Sequence, residues 1–203
     1  MKIYTRSGDA GTTALFGGDR VTKASPRVSA YGAVDEANAA LGVARTLLDD
    51  SELDEMLNEL QNALFDVGAD LATPEGLPAR SHVHPMDEDD VARLEAWIDR
   101  YEGELSPLKN FILPGGRPAS AYLHVARTIV RRAEREVVAL AQEEPVNLQA
   151  AVYLNRISDL LFVLARVVNA RHGVAESRWA AIGRPRSAVI EEDAPITTTG
   201  EDR

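Results

Sequence analysis

A-V-Y-L-N-R-I-S-D-L-L-F-V-L-A-R-V-V, residues 151–168, decides the fold class. Its apolar positions Ala151, Leu154, Ile157, Leu161, Leu164 and Val168 recur at steps of three or four, the period of a helix with one buried face. Pro145-Val146-Asn147 ahead of it supplies a start, with Asn147 as cap, and Gly173 supplies a stop.

The same period predicts four more helices. One begins at Ser25-Pro26, a capping hydroxyl followed by a proline suited to the first turn, and runs to about Leu48. Its face carries Val28, Tyr31, Val34, Leu41 and Leu48. Ser51, with Asp54 three residues on, starts the next, whose stripe is Leu53, Leu57, Leu60, Leu64, Val67 and Leu71. A third spans about Asp87 to Tyr101 and buries Val91, Leu94 and Ile98; a fourth runs from about Pro118 to Gln142. Proline- and glycine-bearing segments at 73–86 and 106–118 separate them. Strand patterns are nearly absent. The expectation is an all-α, five-helix up-and-down bundle over 26–172. An irregular glycine-rich N-terminal segment precedes it at 1–25. A polar, acidic tail follows at 173–203, its last dozen residues disordered.

Composition narrows the function. A formal charge of −10 opposes a nucleic-acid partner. The absence of cysteine removes disulfides, thiol nucleophiles and thiolate metal sites. No apolar run reaches the roughly 20 residues needed to cross a bilayer. Met1-Lys2-Ile3-Tyr4 begins no signal or transit segment, so the expected location is the cytoplasm.

Three clusters carry chemistry. Thr5-Arg6-Ser7-Gly8-Asp9-Ala10-Gly11-Thr12-Thr13, with Lys23 behind it, combines backbone donors freed by glycine, hydroxyls and cations, as phosphate binding requires. It lacks Walker A spacing, and the competing reading is a mobile arm. On the fourth helix Arg127, Arg131 and Glu134 share a face at i, i+4 and i+7 close to the apolar side, with Arg132 and Arg135 alongside. Such a row is either a solvated face laced with ion pairs or an anion or inter-subunit site. Asn155, Arg156 and Asp159 lie beside the 151–168 stripe; Asn155 makes either an inter-helix hydrogen bond or a metal or phosphate contact. Asp35, Glu36 and Asn38 on the first helix pose the same choice. No histidine is preceded at i−3 by glutamate, which disfavours a di-iron bundle.

Five blocks in unbroken order give the chain a family resemblance: I-Y-T-R-S-G-D-A-G-T-T (3–13), P-R-V-S-A-Y-G-A-V-D-E-A-N (26–38), F-I-L-P-G-G (111–116), L-H-V-A-R-T-I-V-R-R-A-E-R (123–135) and Y-L-N-R-I-S-D-L-L-F-V-L-A-R (153–166). Together they resemble the PduO-type ATP:cob(I)alamin adenosyltransferases. The resemblance implies a homotrimeric five-helix bundle that binds ATP between subunits. The reaction it implies moves the 5′-deoxyadenosyl group of ATP to the cobalt of cob(I)alamin and releases triphosphate.

It also implies roles. Thr5, Arg6, Ser7, Gly8, Gly11, Thr12, Thr13 and Lys23 would wrap the triphosphate, Arg131 would neutralise it as it leaves, and Glu134 would support the nucleotide. Asn155 would lie near Mg²⁺, Asp35 and Arg127 would pair between subunits, and Phe111 would face the cobalamin's lower side. A cobalt nucleophile needs no Ser, Cys or Lys nucleophile, consistent with a cysteine-free chain. A non-catalytic nucleotide or cobalamin carrier, or a sensor, would use the same residues. Arg117 departs from the small hydroxyl residue that related sequences commonly carry before the fourth helix, leaving Gly116 as the alternative cap.

Overall fold

The computed structural model describes residues 2–180. It contains a hairpin of β1 (Thr12–Ala14) and β2 (Arg20–Thr22), then α1 (Pro26–Thr46), α2 (Ser51–Ala72), α3 (Glu88–Glu102), α4 (Pro118–Ala141) and α5 (Gln149–Arg171). A 3₁₀ turn at Pro78–His82 interrupts the 73–86 connection. The five expected helices are present. The last dozen residues, expected to be disordered, lie outside the described residues; of the polar tail only 173–180 is described.

Side by side the helices run α2, α1, α4, α5, α3. Ionic ties at the two ends fix their directions. At one end Arg27, near the start of α1, bonds the Leu71 carbonyl at 2.5 Å and the Glu144 carboxylate at 2.9 Å. Asn147, before α5, donates to Asp70 on α2 at 3.0 Å and to the Met86 carbonyl ahead of α3 at 2.9 Å. At the other end Arg171 of α5 bonds Asp50 and Glu104, each at 2.6 Å. Helices α1, α3 and α5 therefore run one way and α2 and α4 the other, the up-and-down arrangement expected.

The core between α1 and α4 is built on small residues: Ala30, Ala33, Ala37 and Ala44 meet Ala119, Ala126 and Ala133. Of the larger residues expected on the α1 face, only Val34 and Leu41 are fully buried; Val28, Tyr31 and Leu48 are half-buried. Alanine carries little hydrophobic signal in a sequence, yet its short side chain lets two helices approach closely. Ile98 on α3 is likewise half-buried rather than core, because it lines a cavity.

Three caps differ from expectation. Asp50, not Ser51, caps α2 and accepts the Leu53 N–H at 3.2 Å. Asn147 does accept a first-turn N–H, from Gln149 at 3.0 Å, while Leu148 occupies the cap position. Arg117 caps α4 without a side-chain bond. Its N–H is instead taken by Asn169 Oδ1 of α5 at 2.9 Å. Gly116 is needed there for space, since a Cβ on it would fall 2.2 Å from Asn169 Oδ1.

The first 25 residues are more ordered than a loop. β1 and β2 pair antiparallel with Thr13 opposite Val21. Three-residue strands are too short to display alternation, so periodicity could not reveal them.

Candidate functional site

A cavity of about 750 Å³ opens over α5, walled by α3 on one side, α4 on the other and the α3–α4 connection above. Phe111, Arg127, Arg131, Arg156, Asp159 and Phe162 are among its lining residues. Helical spacing puts Arg127 and Arg131 one turn apart on the edge of α4 that faces it. Their neighbour Arg132 points elsewhere and pairs with Glu36 of α1. The two readings of the arginine row are thus divided: Arg132 is an ion-paired surface residue, and Arg127 and Arg131 are cavity residues.

The cavity lining carries both signs of charge: Arg127, Arg131 and Arg156 beside Glu95, Asp99, Glu102 and Asp159. Arg127 Nε is buried and has no hydrogen-bond partner among the described residues. Its guanidinium lies 6.0 Å from the Phe162 ring centre. Burial, then the charge of Arg131, lowers the Arg127 pKa, but a guanidinium stays a cation at neutral pH. Beneath Phe162 sits His124, buried, its ring edge-on to Phe162 at 5.9 Å. Burial, and next Arg127, pushes its pKa below the ordinary 6.5, which favours the neutral imidazole. Phe111 stands 77% exposed at the cavity's lip, an unusual position for a large apolar side chain that nothing in the core requires.

Glu134 and Asn155 extend the site along the helices. Asn155 Nδ2 donates to Glu134 Oε1 at 3.1 Å, and Asn155 Oδ1 accepts from Arg156 at 3.3 Å. The inter-helix bond is therefore formed, and the carboxylate keeps its second oxygen for a ligand.

The N-terminal segment forms a separate cradle. Arg6 takes a positive φ of 61° and Gly11 one of 78°, which curls the backbone between them. Thr5 and Ser7 share a hydroxyl hydrogen bond of 2.8 Å. The Lys23 ammonium lies against Gly8, where a Cβ would meet Nζ at 3.1 Å. Thr12 and Thr13 lie on β1 beyond the curl. Arg20, unremarked in the sequence, pins the cradle by bonding the Ser7 carbonyl at 2.5 Å and the Thr12 hydroxyl at 2.8 Å.

Asp35 lies apart from both, in a second cavity of about 470 Å³ between α1 and α2 that Phe16, Tyr31, Phe65 and His82 also line. Its carboxylate is exposed and has no ion-pair partner among the described residues. Within one chain, then, Phe111, Arg127 and Arg131 share one cavity and Asp35 another, while the glycine-rich cradle lines neither. Phe162 was not singled out as a site residue by sequence, whereas Arg156 was grouped there with Asn155 and Asp159, and all but Asn155 line the cavity. Phe162 stands beside the α5 stripe, where a residue on the stripe's edge could have been suspected of facing a cleft.

The cobalamin adenosyltransferase family model matches residues 3–168. The chain belongs to the cobalamin adenosyltransferase family. The corrinoid adenosyltransferase of Mycobacterium tuberculosis is 49% identical over 174 residues, covering 83% of this chain and 89% of the relative. That of Bacillus subtilis is 43% identical over 197 residues, covering 95% and 97%. Among solved structures, a variant of the PduO-type ATP:corrinoid adenosyltransferase from Lactobacillus reuteri, complexed with cobalamin and ATP, superposes with a TM-score of 0.84 at 40% identity. That match covers 89% of this chain and all of the other. The matched span of this cobalamin adenosyltransferase family member contains every candidate residue, and no described helix is long and apolar enough to cross a membrane.

Proposed function

We propose that the chain transfers the 5′-deoxyadenosyl group of ATP to the cobalt of cob(I)alamin and releases triphosphate. One observation carries the reading: in a chain of this family, exposed Phe111, half-buried Phe162 and the Arg127–Arg131 pair line one cavity of about 750 Å³. An apolar wall paired with fixed cations suits a flat macrocycle on one side and a polyanion on the other. Cobalt(I) donates its electron pair to the ribose C5′, and the C5′–O bond leaves with its electrons on the triphosphate. Cobalt becomes formally Co(III). The charge that builds is on the leaving group, so fixed cations and backbone donors lower the barrier.

Arg131 neutralises the leaving triphosphate. Thr5, Arg6, Ser7, Gly8, Gly11, Thr12, Thr13 and Lys23 wrap it, and Glu134 supports the nucleotide. Phe111 excludes water and axial ligands from the cobalt's lower face, the condition for reaching Co(I).

A complete site needs a second copy. The cradle and Asp35 lie off the arginine cavity, and Arg127 keeps an unpartnered nitrogen. Packing the Asp35 cavity of one copy against the arginine cavity of the next is a head-to-tail contact, the kind that makes a ring when the rotation between copies closes. A homotrimer with Asp35–Arg127 pairs between subunits satisfies both groups.

Mg²⁺ fits the residues present in a restricted way. Among the described residues no group of three or more His, Asp or Glu side chains could cage a metal. Mg²⁺ is commonly held by one or two protein oxygens together with substrate phosphates and water. Glu134 and Asn155 would supply those oxygens, and the ion would add charge neutralisation on the triphosphate. A cytoplasmic setting, where ATP is abundant, completes the proposal.

The test is turnover. Protein mixed with ATP, Mg²⁺ and chemically reduced cobalamin should form adenosylcobalamin, followed by its absorbance change. ATP and cobalamin bound without adenosylcobalamin appearing would overturn the assignment.

A further inference from the structure

Phe111 stands on the connection between α3 and α4, far from any core contact that would fix its direction. What fixes it comes from the other end of the chain. After α5 the backbone turns at Gly173, with φ of 66°, and runs back along the connection. The Trp179 N–H donates to the Phe111 carbonyl at 2.8 Å and the Leu113 N–H to the Ser177 carbonyl at 2.7 Å, with Ile112 opposite Arg178 between them. The Trp179 ring meets the Phe111 ring edge-on, 6.4 Å between centres and 88° between planes. Trp179 is itself 55% exposed, so the two rings brace each other at the rim and contribute little to the core.

Two hydrogen bonds between short strands do not hold on their own in water. The anchor is Arg166, on α5 one turn beyond Phe162 and only 7% exposed. Its Nε donates to Glu176 Oε1 at 2.7 Å, on the returning segment. Its Nη2 donates to the Ser106 carbonyl at 2.9 Å, on the α3–α4 connection. Its guanidinium lies 6.0 Å from the Phe162 ring centre. One buried cation thus ties together the segment bearing Trp179, the segment bearing Phe111 and the wall of the cavity. A buried guanidinium bonded on two sides has few alternative arrangements, so it specifies geometry more than it adds stability.

We propose that Arg166, Glu176 and Trp179 are positioning residues that clasp Phe111 in place over the corrinoid cavity. The inference rests on the reading that Phe111 faces the cobalt. Within this cluster only Phe111 and Phe162 face the corrinoid; the clasp acts through them. The chain that follows α5 therefore belongs to the active site at least as far as Trp179, although it lies past the 151–168 stripe and past the family-matched span.

Two measurements on the full chain test this. The first needs no substrate: amide hydrogen exchange across 109–114. Glu176→Gln should abolish protection of the Leu113 N–H while α4 and α5 exchange as before. Unchanged protection in Glu176→Gln would overturn the clasp. The second is the ratio of turnover from Co(II)alamin with a reductant to turnover from pre-reduced Co(I)alamin, at saturating ATP. Trp179→Ala should lower that ratio at least about tenfold, as small misplacements at a reacting centre do. Trp179→Phe should restore most of it, and Trp179→Ala should add nothing in a Phe111→Ala background. Equal slowing of both reactions, or full additivity with Phe111→Ala, would overturn the positioning role. A Phe111→Ala chain with an unaltered ratio would instead defeat the reading of Phe111 itself, and the exchange result would still decide whether the clasp exists.

Discussion

The Asn155 amide of α5 donates to the Glu134 carboxylate of α4 at 3.1 Å, joining two candidate site residues from different helices. The second Glu134 oxygen has no hydrogen-bond partner among the described residues, while the Asn155 carbonyl accepts from Arg156. A hydrogen bond to a charged group is worth about 1.5–3 kcal/mol, and 1.4 kcal/mol is about tenfold in an equilibrium constant. Asn155→Ala should therefore raise KM for Mg-ATP about tenfold or more while KM for cob(I)alamin stays near its starting value. Steady-state titrations of each substrate against a saturating partner decide it.

Arg131 carries a different expectation, because its proposed partner gains charge only as the reaction proceeds. Losing a group of that kind lowers kcat rather than binding. Arg131→Ala should reduce kcat about 10²-fold or more. Arg131→Lys should recover part of this, since it keeps the charge but loses the planar fork. A rate for Arg131→Ala near that of the unaltered chain would remove the residue from the mechanism.

What the sequence reveals and what it hides follow from how far each interaction reaches. The α5 stripe is legible because its period is local and its residues are large. The α1–α4 seam is hidden because it is made of alanines. Arg127, Arg131 and Glu134 can be grouped by helical spacing, but their spacing is silent on Arg132, which turns away to Glu36 on α1. The separation of Asp35 from Arg127 into two cavities is a tertiary fact that no local pattern carries. The same holds for Trp179 on Phe111: a three-residue pairing between distant segments leaves no periodic trace.

Asp35 and Arg127 predict an assembly phenotype. Each is unpaired within the described chain, and a buried cation deprived of its partner is costly. Asp35→Ala and Arg127→Ala should each shift the oligomer toward smaller species on dilution, measured by sedimentation equilibrium. The exchanged double variant, Asp35→Arg with Arg127→Asp, should restore part of the association. Trimers of unaltered strength in both single variants would place the contact elsewhere.

His172, at the end of α5, makes the stability of that end depend on pH. The ring bonds the Val168 carbonyl through Nδ1 at 2.8 Å and approaches Asp49 through Nε2 at 3.0 Å. The first contact, then the second, raises its pKa above the ordinary 6.5. The Asp49 carboxyl is lowered from 3.8, chiefly by the same histidine. A raised histidine contributes stability that is complete below its unfolded pKa and disappears as pH rises through its folded one. The Asp49 contribution is present above 3.8 and is lost as pH falls through the lower folded value. The difference in melting temperature between the unaltered chain and His172→Gln should therefore shrink as pH is raised from about 5 to about 8. A difference that grows over that range would contradict the assignment.

Arg20 separates the fold of the N-terminal cradle from its use. Its guanidinium holds the Ser7 carbonyl and the Thr12 hydroxyl, yet the residue is exposed and outside the bundle core. Removing it should leave the five-helix bundle intact, because none of the buried residues of α1–α5 depends on it. The cradle would then have to be ordered by the ligand, and that ordering cost is subtracted from binding. Fixing the backbone of one residue costs about 1–2 kcal/mol, so releasing even two residues of the segment is enough to weaken binding by about tenfold or more. Arg20→Ala should thus raise the dissociation constant for ATP and its KM by at least that factor, with the melting temperature of the free protein little changed. Calorimetric titration with ATP, beside a thermal melt of the same sample, distinguishes the outcomes. A large fall in melting temperature would make Arg20 a structural residue of the bundle, and unchanged ATP affinity would show that the cradle is held by Gly11 and the hairpin alone.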